Sequence, residues 1–358
     1  MADVLTIGEL RVDLVAGRAG PLAGAQTFTR APGGDMASVA AGVVRLGRSA
    51  AFVGLVGDDP FGRYLLRALD EHGVDTRYIG IHPRGRTPVA FVNRPDDAGT
   101  PGGDGSLLSP MAEEPGEKTF LFYREGGADQ LLSPAWVPTE AVEQARVVVG
   151  SGVSLASALP RATLHAAIDT AHAAGVAVAL DVDWRPALWQ TPERARDLYY
   201  ALFPQVDILM LSASEMIMLT GGTASSEEGR LGAILHAWVE RLVAGRTKPL
   251  LVALTRGPDG CTYGLWHPGG PGMDITHLAA CDILAKDRSG AGEAFMAGLL
   301  VALLDRGMDL SSLTLDDMAA VFAWANASGA LATTRRGAMA ALPGRSSVLR
   351  LVKGGRAP

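Results

Sequence analysis

DRSGAGEAFMAGLLVALLDRG, residues 287–307, begins as a glycine-rich turn and runs directly into an apolar stretch of helical length. The turn predicts exposed N–H groups at Gly290, Ala291 and Gly292, at the positive end of a helix over residues 292–304, an arrangement that cradles anions. Glu293 adds a carboxyl in the first turn of that helix. Alone, the same pattern also suits close packing of a helix against its neighbours. A second glycine pair, Gly33 and Gly34 in APGGDMASVAAGVVRLG (31–47), opens another helix, and AFVGLVGDDPFG (51–62) follows it. Between the two lies DVDWRPALW (181–189), acids and an arginine immediately after an apolar run, where open α/β sheets hold their ligands.

Outward from these motifs, short apolar runs recur at residues 4–7, 51–56, 147–149, 176–180, 208–211 and 250–254. Runs this short and continuous predict strands buried on both faces. The segments 37–46, 61–72 and 163–174 carry helical periodicity and end at Gly47, Gly73 and Gly175, each where a C-terminal cap belongs. Alternation of this kind implies an α/β fold with a central, mostly parallel sheet and helices on both faces.

Two regions break the rhythm. Residues 10–32 and 86–125 hold strand-like pieces at 10–15, 87–93 and 119–123 without helices, which predicts a small antiparallel sheet, a β lid. Within it PDDAGTPGGDGSLLSPMAEEPGE, residues 95–117, is too rich in proline, glycine and acids to pack and reads as a flexible insertion. The segment from residue 344 reads as a terminal strand or helix turn with a loose end. The whole chain, 1–358, is therefore expected to be one domain.

Composition excludes other classes. The 358 residues are 48% hydrophobic and 20% charged, ordinary for a globular protein, with 44 glycines and no collagen period. A net charge of -6 argues against a coat for nucleic acid or for an anionic membrane. Cys261 and Cys281 lack metal or disulfide spacing, no run is long enough to span a bilayer, and the acid-bearing start is no secretory signal, so a cytoplasmic location is expected. No G-x-G-x-x-G follows the first strand and no Walker lysine motif is present.

Taken in order, the motifs resemble the ribokinase-like (PfkB) carbohydrate kinase family: IGE with Asp13, the GG helix, GDDPFG, FYR with Ala128 and Asp129, DVDWRPALW, Ser212 to Gly221, TRGPDG at 255–260, GAGE, and RRGAMAALP at 335–343. The resemblance implies transfer of the γ-phosphoryl group of ATP to a primary hydroxyl of a keto-sugar or keto-sugar acid. It is similar among subfamilies to fructokinases, 2-keto-3-deoxygluconate kinases and 5-dehydro-2-deoxygluconate kinases. By that resemblance Glu293 is the base and the 290–292 amides the oxyanion cradle. Asp13, Gly33, Gly34, Ser38, Tyr123, Arg124 and Arg185 fall on the sugar clamp. Thr255, Gly257, Gly260 and Asn326 fall on the nucleotide site, and Glu215 on a magnesium held through water. A monovalent cation and a homodimer through the lid are further features that the resemblance leaves open.

Three departures stand out. Serine occupies positions 38 and 212 where the family usually has asparagine, and Glu293 replaces the usual aspartate, with Arg288 beside it replacing a usual threonine. The extra methylene displaces the carboxylate by about 1–1.5 Å, a scale on which rates change about 100-fold. A sugar- or nucleotide-binding protein without catalysis, and a nucleoside kinase of the same family, stay as alternatives. Trp184 and Trp189 read as packing residues.

Overall fold

The apolar runs become strands for a simple reason: each is flanked by turn residues and too short for a helix with a buried stripe. The computed structural model describes residues 1–94, 119–221, 231–270 and 272–354, so the insertion expected at 95–117 lies outside the described residues. Its strands are β1 (Val4–Ile7), β2 (Arg11–Ala16), β3 (Phe28–Gly33), β4 (Ala50–Gly57), β5 (Ile79–His82), β6 (Val89–Val92), β7 (Phe120–Tyr123), β8 (Val147–Ser151), β9 (Ala177–Asp181), β10 (Ile208–Ser212), β11 (Leu250–Thr255), β12 (Cys261–Trp266) and β13 (Met273–Leu278). Its helices are α1 (Asp35–Arg45), α2 (Pro60–Glu71), α3 (Thr139–Gln144), α4 (Ala158–Ala173), α5 (Pro192–Leu202), α6 (Ala213–Thr220), α7 (Leu231–Leu242), α8 (Ala291–Leu304), α9 (Leu315–Ala332), α10 (Ala338–Ala341) and α11 (Arg345–Val352).

Nine strands form the main sheet in the order β13-β12-β11-β10-β9-β8-β1-β4-β5, parallel from β11 to β5. Alternate residues of a strand feed opposite cores, as strand geometry requires. Val147 and Val149 join one cluster with α1, α8 and α9, whereas Val148 joins the other with α4, α5 and α7. The chain reverses at β12 and β13, which pair antiparallel. Only residues 256–260 connect β11 to β12, too few for the crossover that a parallel neighbour needs.

The second sheet has the order β3-β2-β6-β7 and gathers both regions without helices. It is mixed rather than wholly antiparallel, because β2 and β6 run parallel. The chain between them passes through the main sheet, so the two strands are joined by a crossover and not a hairpin. The segment after residue 344 is helix α11, which buries Val348.

Candidate active site

The site begins where β2 and β3 meet α1. Asp13 lies on β2, and Arg11, two residues earlier, shares its face. Arg11 is fully buried and donates from Nη1 to Glu9 Oε1 and from Nε to Asp13 Oδ1, each at 2.9 Å. Its guanidinium lies 5.9 and 5.4 Å from the ring centres of Phe120 and Phe122. Gly33 sits against Asp13 so closely that a Cβ there would lie 2.5 Å from the carboxylate. Gly34 adopts φ +118, and a Cβ on it would meet the Glu9 carbonyl at 2.4 Å. Only glycine turns this corner into the helix. Asp35 is then the first residue of α1, buried, with its Oδ1 at 3.8 Å from Arg11 Nη2 and 3.6 Å from Arg185 Nη2. Ser38 follows, buried one turn on.

Facing this corner is the loop after β9. Asp181 closes the strand and Asp183 adopts φ +40, an uncommon conformation for a residue with a side chain. That conformation lets Asp183 accept from Ser151 Oγ at 3.2 Å and pair with Arg185 Nε at 2.7 Å. Glu215, in the first turn of α6, accepts from the Ser212 N–H and the Trp184 N–H, each at 2.6 Å, and so ties α6 to the same loop. Trp184 and Trp189 stack at 5.7 Å, in keeping with packing roles.

From the small sheet, Arg124 is buried and bonded to Asp129 at 2.5 Å. Tyr123 does not join the site. Strand alternation turns Phe120 and Phe122 toward Arg11 and leaves Tyr123 on the opposite face, exposed and packed edge-on against Phe91.

The glycine-rich turn closes the arrangement from behind. Gly290 caps α8 with φ +78, and a Cβ there would lie 2.8 Å from the Ala338 Cα, so the RRGAMAALP segment presses directly on the turn. Asp287 fastens the two by accepting from the Gly337 N–H at 2.9 Å. Helices α1 and α8 touch where Gly42 faces Ala297, which brings both glycine-capped N-termini to one place. There the carboxyls of Asp35 and Glu293 act on one another's ionisation. Burial first, then the charge of Asp35, pushes the Glu293 carboxyl up to about 7. Burial alone would raise Asp35 too, but Arg185 and Arg11 overcome it and hold that carboxyl below the usual range. Burial, with neighbouring carboxylates, raises Asp181 and Asp183.

A cavity of ≈ 640 Å³ opens between the β11–β12 connection and the segment after β13, lined by Arg256, Asp259, His277, Ala280 and Cys281 among others. None of the four residues expected at a nucleotide site lines it directly, although Gly257 and Gly260 flank Pro258 and Asp259, which do. Gly257 and Gly260 adopt φ +55 and +90, and Gly260 lies against the backbone of residues 278–280. Asn326 donates to the Ala279 carbonyl at 2.8 Å, and Thr255 ends β11. Gly329, one helical turn beyond Asn326, packs on the Ala291 carbonyl, which links α9 to the glycine-rich turn.

This combination of a glycine-capped cradle, a carboxyl beside it and a cavity at the β11–β12 connection agrees with similarity to known proteins. The profile of the pfkB family of carbohydrate kinases matches residues 1–99 and 108–345. The chain belongs to this family. It is a sugar kinase. Fructokinase-1 of Zea mays is 33% identical over 355 residues, spanning 98% of this chain and 97% of that protein. Among solved structures, the fructokinase of Xylella fastidiosa with bound ATP gives a TM-score of 0.79 at 26% identity, covering 99% of both chains. A double mutant of the fructokinase of Vibrio cholerae O395, bound to fructose, ADP and potassium ion, gives 0.77 at 27% identity over 98% of both chains. Arg11 and Asp35 are buried residues of this candidate site that sequence reasoning passed over. Two signals were present: Arg11 stands at i−2 from Asp13 on one strand, and an acid directly follows the glycine pair.

Proposed function

We propose that this sugar kinase phosphorylates the primary hydroxyl of a neutral ketose, with fructose the first choice and ATP the donor. One observation carries the choice between a sugar and a sugar acid. Each of the three guanidinium groups that reach the carboxyl cluster, Arg11, Arg124 and Arg185, is already paired with a carboxylate of this chain. A substrate carboxylate placed there would meet guanidinium groups that already have carboxylate partners, and several anions. The fructokinase relatives and the fructose bound in the Vibrio cholerae structure support the same reading.

In this mechanism the sugar lies against Asp13, Gly33, Gly34 and Ser38 under Phe122, with the small sheet as a lid on one kinase domain spanning 1–358. Ionised Glu293 takes the hydroxyl proton as the sugar oxygen bonds to the γ-phosphorus, and the bond from that phosphorus to the ADP oxygen breaks. The N–H groups of Gly290, Ala291 and Gly292 stabilise the charge on the transferring oxygens. ATP lies in the cavity near Gly257, Gly260, Thr255 and Asn326. Both oxygens of Glu215 accept backbone N–H groups, which leaves lone pairs for water, and among the described residues no cluster of three ligating groups holds a metal by itself. That donor set fits a magnesium ion that arrives on the phosphates and meets Glu215 through water. Magnesium, when bound, neutralises phosphate charge. A bound monovalent cation, a homodimer through the face carrying Phe28, Phe91 and Tyr123, and a cytosolic location belong to the same reading.

The test is ADP release over fructose, 2-keto-3-deoxygluconate, 5-dehydro-2-deoxygluconate, ribose and adenosine. Fructose is expected to be turned over best, and Glu293→Gln to lose at least about 100-fold in kcat. Preference for either sugar acid overturns the neutral assignment. If all five are inert while fructose and ATP still raise the Tm, the chain binds without catalysis.

A further inference from the structure

Arg11 is a buried cation on β2, paired across the strands with Gly33 of β3 and on the same face as Asp13. Its fork is anchored along two edges. Nε donates to Asp13 Oδ1 and Nη1 to Glu9 Oε1, each at 2.9 Å, and Glu9 Oε1 also accepts at 3.4 Å from the Asp35 N–H, the first amide of α1. Phe122 and Phe120 of β7 cover the guanidinium, with ring centres at 5.4 and 5.9 Å. A planar group bonded along two edges and roofed by rings has little freedom to turn, and a lysine ammonium does not reproduce the fork. On the other side Gly33 makes room for the carboxylate, since a Cβ there would lie 2.5 Å from it. The Asp13 side chain is 12% exposed and that of Arg11 6%, so a ligand entering the corner meets the carboxylate, with the guanidinium beneath it.

We propose that Arg11 is a positioning residue for sugar recognition: it orients the Asp13 carboxylate as a fixed acceptor for sugar hydroxyl groups and touches no sugar itself. This rests on the reading of Asp13 as part of the sugar clamp. With Oδ1 turned to Nε, the plane of the carboxylate is set, and the lone pairs that remain on its oxygens are aimed before substrate arrives. Such preorganisation removes an ordering cost from binding, and it does so most for a ligand whose hydroxyls are rigidly spaced on a ring. The pair also presents its negative member to the ligand, which favours hydroxyl donors over a substrate carboxylate.

The test is a double-mutant cycle read by calorimetry as Kd for fructose and Kd for ATP. Arg11→Lys keeps the charge and loses the fork, so it should raise Kd for fructose about 10-fold and leave Kd for ATP within about twofold. In an Asp13→Asn background the same change should add less than about twofold, because the residue it acts through is already altered. A sugar contact made by Arg11 itself, or a general loosening of the corner, would multiply the two losses, and that result overturns the proposal. If Asp13→Asn binds fructose as the parent does, the sugar-clamp reading of Asp13 fails and the proposal with it. A raised Kd in Asp13→Asn beside a parent-like Arg11→Lys defeats the role of Arg11 alone. Should Arg11→Lys fail to fold, Asp13→Ala decides, since it keeps Arg11. Formate should take the place of the lost carboxylate on Arg11 and lower Kd for fructose as its concentration rises. No response to formate overturns the proposal.

Discussion

Gly33 shows how much one missing side chain does. Its φ is not in the left-handed region, so its requirement is steric: the Asp13 carboxylate, held by Arg11, occupies the space a Cβ would take. Gly33→Ala is expected to lower kcat/KM for the sugar at least about 10-fold, with nucleotide affinity unchanged, since only one of the two subsites is displaced. Equal losses for sugar and nucleotide would show general unfolding of the corner instead. The contrast between Tyr123 and Phe122 is also a residue-scale matter. Both belong to FYR, and one step along the strand decides which of them meets Arg11.

At the scale of elements, the same capping motif does two different jobs. The capping box at α9 joins Thr314 to Asp317 through the Thr314 side chain at 3.1 Å and the Asp317 carboxylate at 3.1 Å, far from the cluster of carboxyls. The one at α6 joins Ser212 to Glu215, whose second oxygen also holds the Trp184 N–H of the loop bearing Asp183 and Arg185. Thr314→Ala should therefore cost about 1 kcal/mol in a urea melt and leave turnover near that of the parent. Glu215→Ala should cost about 1–3 kcal/mol and lower turnover as well, because it frees a loop that carries the site. Turnover unchanged in Glu215→Ala would remove both the loop-tethering and the magnesium roles. The C-terminal ends of α1, α2 and α4 and the inner parallel strands were legible from glycine caps and apolar runs, whereas α5, α7, α9 and strand β12 escaped that reading. Strands β3, β5 and β13 were not legible either, because their exposed or half-buried residues carry little apolar signal.

The whole molecule gathers more acid into its site than its cations neutralise, and its stability should respond. Burial raises Glu9 and Glu293 to about 7, and burial also raises Asp129, Asp181 and Asp183. A carboxyl raised in this way holds its proton to a higher pH in the folded state than in the unfolded chain, so stability falls as pH rises from the unfolded toward the folded pKa. Asp59 and Asp305 run the other way. Burial there is overcome by the Thr87 and Gly62 N–H groups at one and by Arg345 and Arg48 at the other, so their contribution is present above a pH of about 4 and lost below it. The Tm of the ligand-free protein is expected to peak at roughly pH 5–6 and to fall by pH 8. A Tm rising steadily from pH 5.5 to 8 would contradict the surplus of protonated acids.

Local patterns determined the α/β alternation, the glycine-opened helices, the second sheet and the kinase-like order of motifs, because each is encoded by neighbours a few residues apart. The partners of each charge were settled only in three dimensions. Arg11, Asp35, Asp183 and Glu293 come from four separate segments, and nothing near any of them in the chain records that they share one buried corner. Glu293 in the sequence is an acid with one methylene too many. In the fold it is a carboxyl that burial first, and then the charge of Asp35, pushes up to about 7, because both act through space and take no account of sequence separation.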